Sequence, residues 1–196
     1  MAAREIEEQI RTWLSGEGLE IKNREDPRAD FHFLVRYPPT KHGHLFNVLS
    51  PKKRNLLVIS SVTQVDAGQQ SEMKKHANSD PDSWEEWLHE TRLQLTRSHV
   101  DWVLHIGHGE GKHGPLQAFN LSMPTWFDGV TQNEVMQTLR RLWLSKLSVI
   151  HDIKFSYGPG VGKPGPVDDW AKGGPQSRPE TAHSTKEVET DETGGF

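Results

Sequence analysis

Between Trp126 and Ile153 the sequence reads WFDGVTQNEVMQTLRRLWLSKLSVIHDI, and no other stretch limits the fold so tightly. Asp128-Gly129 is a turn signal. Thr131, followed three residues later by Glu134, is a capping box: the threonine hydroxyl accepts from a backbone N–H of the first turn and the glutamate reaches back to the cap. Beyond it Val135, Met136, Leu139, Leu142, Trp143, Leu147, Ile150 and Ile153 recur at three- and four-residue spacing, while Gln137, Arg141, Ser145, Ser148 and Asp152 collect on the opposite side. A helix with so broad an apolar stripe must lie on a large apolar surface, and upstream only a set of short strands offers one. The expected fold is therefore α+β.

The rest of the chain fits around that helix. Ile6, Ile10, Trp13 and Leu14 share one face of a first helix, expected to end at Gly16. Leu19 and Ile21 start a short extended piece. Phe31, Phe33, Val35 and Tyr37 alternate with His32, Leu34 and Arg36, the two-residue period of a half-buried strand, which Pro38-Pro39 stops. His44–Ser50 and Asn55–Thr63 give two more strands joined by a tight loop. A short helix over Gln69–Ala77 is followed by Asp80-Pro81, a cap and first-turn proline that open another helix with Trp84, Trp87, Leu88, Thr91 and Leu95 on its apolar face. Asp101–Gly107 and Leu116–Met123 are the last strands. The main elements run α-β-β-β-α-β-β-α, and short links within each strand group imply antiparallel pairing. The expected architecture is a single antiparallel five-stranded sheet with helices packed on it, over residues 1–157. From Gly158 to Phe196 there are 39 residues with 8 Gly and 5 Pro. That composition buries too little to offset ordering entropy, and a disordered C-terminal tail over 158–196 is expected.

The chain has 196 residues and no cysteine, which excludes disulfides and thiolate metal sites. No apolar run approaches the ~20 residues that span a bilayer, and the charged N-terminus has no signal-peptide core, so a cytoplasmic protein is expected. The formal net charge of -4 argues against a dedicated nucleic-acid binder, because phosphate contact is mainly cationic. Eleven histidines would bring the charge to -4 + 11 = +7 if all were protonated.

Three clusters carry candidate chemistry. His105, His108, Glu110 and His113 offer three imidazoles and a carboxylate around a glycine-rich loop, donor types that suit zinc; the spacing matches no usual ligand pattern, and a glycine loop holds ligand geometry poorly. Lys52, Lys53 and Arg54 form a basic loop tip able to meet an anion or nucleic acid, although charged tips are what solvated turns normally carry. Trp84 and Trp87, one turn apart, either mark a partner surface or pack in a core. The glycine-rich run Gly158–Gly165 is not a phosphate loop: Pro164 stands where Ser or Thr is required after Lys163, and the run follows a helix instead of opening one. No Ser-His-Asp order or nucleophile elbow is present, so no catalytic residue and no cofactor is assigned.

IRTWL near the start, DPRADFHFLVRYPP, and WFDGVTQNEVMQTLRRLW after the last strand resemble the archaeal family known as domain of unknown function 2299, over about Ile6 to Ile153. The resemblance implies a fold similar to the secretion-chaperone-like α+β domains, which hold partner polypeptides and often dimerise. It brings no catalytic residues. The expected function is a non-catalytic protein-binding or chaperone-like module, a homodimer or the partner of another polypeptide, with an exposed patch at Trp84 and Trp87. The alternatives are a metal-dependent hydrolase using the histidine loop, and an RNA-associated protein using Lys52, Lys53, Arg54, Arg140 and Arg141.

Overall fold

The computed structural model describes residues 3–108 and 113–167. Four α-helices and a six-stranded sheet form in the order α1 (Ala3–Gly16), β1 (Ile21–Asn23), β2 (Ala29–Tyr37), β3 (His44–Pro51), β4 (Leu56–Gln64), α2 (Ala67–Ser79), α3 (Pro81–Arg97), β5 (Asp101–His108), β6 (His113–Trp126) and α4 (Gln132–Tyr157), with a 3-10 turn at Phe127–Gly129. The sheet order is β1-β2-β3-β4-β6-β5. The α+β class and antiparallel pairing agree with the sequence, but the sheet has six strands, not five. The sixth strand is β1, the short extended piece expected at Leu19 and Ile21 but not counted in the sheet, whose Ile21 pairs with Val35. The short helix expected over Gln69–Ala77 forms as α2 and is two residues longer at each end. In the last hairpin β6, not β5, lies beside β4, which leaves β5 at the end of the sheet.

The described residues pack as two compact units, one of those up to Ser61 with Leu121–Ser145, the other of those between Val62 and Asn120 with those from Lys146 to Val167. The boundaries pass through β4, β6 and α4, so no linker marks them in the sequence.

In the first unit Ile6, Ile10 and Leu14 of α1 are fully buried. The helix ends at Gly16 as expected, but the left-handed residue that closes it is Gly18, not Gly16. Gly18 takes φ +70°, its N–H donates to Ser15 O at 3.0 Å, and Leu19 N–H donates to Leu14 O at 3.0 Å. This pair of reversed bonds satisfies the orphan carbonyls of the last turn and needs a residue tolerant of the left-handed region. In β2 both alternating sets are covered, since His32 and Leu34 are buried with Phe31, Phe33 and Val35. The half-buried alternation expected there becomes a strand covered on both sides. Phe33 faces Val48 and Val35 faces Phe46 across β3, and the Arg11 guanidinium lies 4.4 Å from the Phe33 ring centroid.

The cap of α4 forms as its sequence specifies: Glu134 N–H donates to Thr131 Oγ1 at 3.1 Å. Val135, Leu139, Leu142, Ile150 and Ile153 are buried as expected. Ser145, assigned to the solvent face, is also buried. Its hydroxyl donates to Arg141 O at 2.9 Å, which satisfies the polar atom within the helix and permits burial.

In the second unit, α3 opens as Asp80-Pro81 predicts, with Ser83 N–H donating to Asp80 Oδ1 at 3.2 Å. Trp84, Leu88, Thr91 and Leu95 form its buried face.

Candidate functional site

Residues 158–165, the start of the stretch expected to be disordered, are docked in the second unit. Asp66 caps α2 and is itself buried. Its Oδ1 accepts from Gly68 N–H at 2.7 Å and Val161 N–H at 2.8 Å, and its Oδ2 from Lys163 N–H at 2.9 Å. Ala67 N–H donates to Lys163 O, and Gly165 N–H to Val65 O. Gln64 and Gln69 donate side-chain amides to Gly165 O and Gly158 O. The glycines are steric requirements as much as turn formers: Gly160 sits at φ +85°, and a Cβ there would lie 2.6 Å from Asp66 Cγ. Burial raises the Asp66 carboxyl, but the N–H donors of Val161, Gly68, Lys163 and Gln69 outweigh it and hold the group below the usual carboxylate range. A composition count misses this strap because its affinity lies in main-chain N–H groups aimed at one carboxylate.

Trp84 and Trp87 do not form the exposed patch expected of them. Trp84 is 1% exposed and Trp87 half-buried. The two indoles stack at 5.2 Å between centroids, and Trp87 meets the Tyr157 ring edge-on at 5.3 Å. A polar relay runs beside them. Tyr157 Oη and His76 Nδ1 are 3.0 Å apart, and His76 Nε2 and Ser83 Oγ 3.1 Å. The Trp87 indole N–H is buried and makes no hydrogen bond of full geometry. Burial raises the Asp152 carboxyl, with the Trp87 indole opposing the shift. Burial and then the Asp152 charge push the Tyr157 hydroxyl up, so it stays protonated.

Ser83 and His76 have the separation of a nucleophile and its base, and seven residues across a helix break gave no motif to find them by. The surroundings favour a packing role. Ser83 N–H goes to Asp80 Oδ1 and Trp84 N–H to Asp80 O. The amides beside the hydroxyl are thus committed to the cap and not aimed at a developing oxyanion. The third group is a neutral phenol, not a carboxylate.

Lys146 of α4 is buried, and burial lowers its amine to about 7. This group too went unflagged, because the sequence places it next to the solvent-facing set of the helix.

The histidine cluster does not converge among the described residues. His105 lies half-buried in β5, its imidazole lowered by burial, and His108 is exposed. His113 Nδ1 is paired with Glu85 Oε1 at 2.8 Å, while Glu110 lies outside the described residues. No group of three or more His, Asp or Glu able to hold a metal ion occurs among the described residues. Lys52, Lys53 and Arg54 are all exposed on the β3–β4 turn, with Lys53 at φ +63°.

One surface remains that the sequence did not flag. β5 ends the sheet, and its apolar residues are poorly covered. Val103 is 50% exposed, and Trp102, Leu104 and Ile106 are each half-buried. The signal was available: Trp102, Val103, Leu104 and Ile106 form a near-continuous apolar run, which reads as a central strand until the sheet order is known.

Fold and site define an α+β protein with an antiparallel sheet, an apolar strand at its end and a polar strap. The chain belongs to the family described as an uncharacterized conserved protein (DUF2299), whose model matches residues 6–153. It is similar in structure to an uncharacterized protein from Methanothermobacter thermautotrophicus, with a TM-score of 0.67 and 25% identity over 78% of this chain and 99% of that one. No curated protein matches the chain. The matched span ends at residue 153, so the strap lies beyond it. No helix among the described residues is long and apolar enough to cross a membrane.

Proposed function

We propose that the protein is a non-catalytic, chaperone-like module that binds extended polypeptide, and that its working surface is the β5 edge of the sheet. The observation that carries this reading is the exposure along β5. Soluble proteins blunt edge strands with lysine, proline, bulges or covering elements. Between Trp102 and Gly107, β5 carries one polar side chain, His105, and no lysine or proline. An added strand would gain affinity from main-chain hydrogen bonds and specificity from alternate side chains. Trp84 and Trp87 would then support the surface from within instead of forming it.

The test is amide exchange of the full chain with a panel of extended peptides, apolar at alternate positions. Protection of every second amide in β5, with binding weakened at least tenfold by Val103→Lys, is the expected result. Protection confined to other elements, or binding indifferent to Val103→Lys, would remove β5 as the working surface.

A further inference from the structure

We infer that residues 64–70 form a peptide-binding groove for segments with glycine at alternate positions, and that the chain's own strap, Gly158–Gly165, is its resident occupant. The groove uses no residue of β5 and does not depend on the strand-addition reading.

The strap is held as a bound peptide is held. Three of its N–H groups donate to the groove: Val161 and Lys163 to the Asp66 carboxylate, and Gly165 to Val65 O. Three of its carbonyls accept from it: Gly158 O from the Gln69 amide, Lys163 O from Ala67 N–H, and Gly165 O from the Gln64 amide. Asp66 and Pro164 form an antiparallel bridge. The bonds flank that pair instead of joining it, so a residue without an N–H is tolerated there. Main-chain pairing of this kind supplies affinity without regard to side chains.

The strap's own side chains are largely unread. Pro159, Lys163 and Pro164 are exposed, and Val161, leaning over Gly68, is still 65% exposed. Its glycines are read one by one. Gly158, Gly160 and Gly162 take φ +78°, +85° and +71°, a region where L side chains are strained. A Cβ at Gly160 would press on the Asp66 carboxyl, and one at Gly165 would run into the Gln70 amide. Neither wall swings aside freely. Asp66 is fixed by the N–H groups of Gly68, Val161 and Lys163, and the buried Gln70 amide is tied to Val65 O and Gln117 O. The selected pattern is Gly-x-Gly-x-Gly-x-x-Gly with x open, and the ligand class is a glycine-alternating polypeptide segment recognised by its backbone.

The strap follows α4 directly at Tyr157, which sets its effective concentration at the groove on the order of millimolar. A free segment therefore meets an occupied site and binds once the strap is unseated.

The test uses the full chain and a fluorescent peptide of residues 158–167, followed by anisotropy. Gly160→Ala alters the strap and leaves the groove sequence intact. It should remove amide-exchange protection at Val161 and Lys163 and raise peptide affinity at least about tenfold over wild type. On that variant, Gly160→Ala, Gly162→Ala or Gly165→Ala within the peptide should each weaken binding at least about tenfold, while Pro159→Ser or Lys163→Gln should change it less than about threefold. Where Gly160→Ala in the chain lowers the helical circular dichroism, Gly165→Ala unseats the other end and serves the same comparison.

Strap amides that stay protected in the variant, or wild type binding the peptide as tightly as the variant, would overturn the strap as occupant. A variant with unprotected strap amides that binds no peptide would overturn the groove. Binding that ignores the peptide's glycines would overturn the selected pattern. If both chain variants lose helical signal, excess peptide should restore it, and no recovery would also overturn the groove.

Discussion

The unit built on α1 and β2 and the unit built on α2 and α3 fill their interiors with different materials. The first buries Ile6, Ile10, Leu14, Phe31, Phe33, Val35, Phe46, Leu139 and Leu142, and among the described residues none of its buried polar side chains is a carboxylate or an amine. The second buries Asp66, Gln69, Gln70, Gln117 and Lys146 alongside Met73, Trp84 and Leu88. Gln70 shows what that requires: its amide donates to both Val65 O, just past the end of β4, and Gln117 O of β6, tying both segments to α2. Dispersion and the hydrophobic effect are non-directional, so an apolar interior tolerates many arrangements of similar volume. A buried polar atom costs free energy unless its partner stands at the right distance. The second unit is therefore specified by individual atoms, and the first by shape and volume.

The largest expected effect lies in the first unit. Leu139→Ala and Leu142→Ala remove fully buried side chains and should each destabilise by about 2–5 kcal/mol in chemical denaturation. A loss well under 1 kcal/mol at both would show that volume does not govern that interior.

Asp66→Ala should cost about 1–3 kcal/mol and lower amide-exchange protection at Val161 and Lys163 first. Because the folded Asp66 sits below the usual carboxylate range, its contribution is complete above the unfolded value and is lost as pH falls through the folded one. Truncation extends the same test. Ending the chain after Tyr157 should lower the thermal midpoint, by roughly 2–4 °C per kcal/mol lost; ending it after Val167 should not. Equal midpoints for the two truncations would mean that the strap's hydrogen bonds add nothing to stability.

Lys146 should make stability climb with pH. Its amine is lowered to about 7 in the folded chain against about 10.4 when unfolded. The unfolded state therefore binds the extra proton between those values, and stability rises across that window with a slope of at most about 1.4 kcal/mol per pH unit. Lys146→Met should abolish the slope in urea titrations at pH 7, 8.5 and 10, taken as roughly even steps through the window. An unchanged slope would place its source elsewhere.

The smallest effect belongs to Arg141→Ala. Arg141 is exposed on α4, and the change should stay under about 0.5 kcal/mol. A larger loss would mean that the helix presents a different face.

Periodicity made the first unit's helices and paired strands visible, because Ile6/Ile10/Leu14 and Val135/Leu139/Leu142 advertise a buried face by spacing alone. It also gave both α3 and its cap. What it hid has a common physical cause. The strap from Gly158 to Gly165 is held by main-chain N–H groups, which every non-proline residue carries and no composition reveals. Ser145 reads as solvent-facing because its hydroxyl looks unsatisfied until it bonds within its own helix. The edge position of β5 depends on which strand of a hairpin inserts beside β4, a choice made by the whole sheet. Of the histidine cluster, the pairing of His113 with Glu85 was equally hidden, because the two lie 28 residues apart on different elements.

The strap also has a consequence in time. Asp66 meets Val161 and Lys163 across sequence separations of 95 and 97, and Gln64 meets Gly165 across 101. Joining such distant segments requires closing a long loop before any contact rewards it, so these bonds belong to the late part of folding. Interactions absent from the transition state act on the unfolding limb. Loosening the strap through Asp66→Ala should therefore leave the refolding arm of the chevron in place and steepen escape from the native state. Asp66 would then govern how long the folded chain persists more than how quickly it forms.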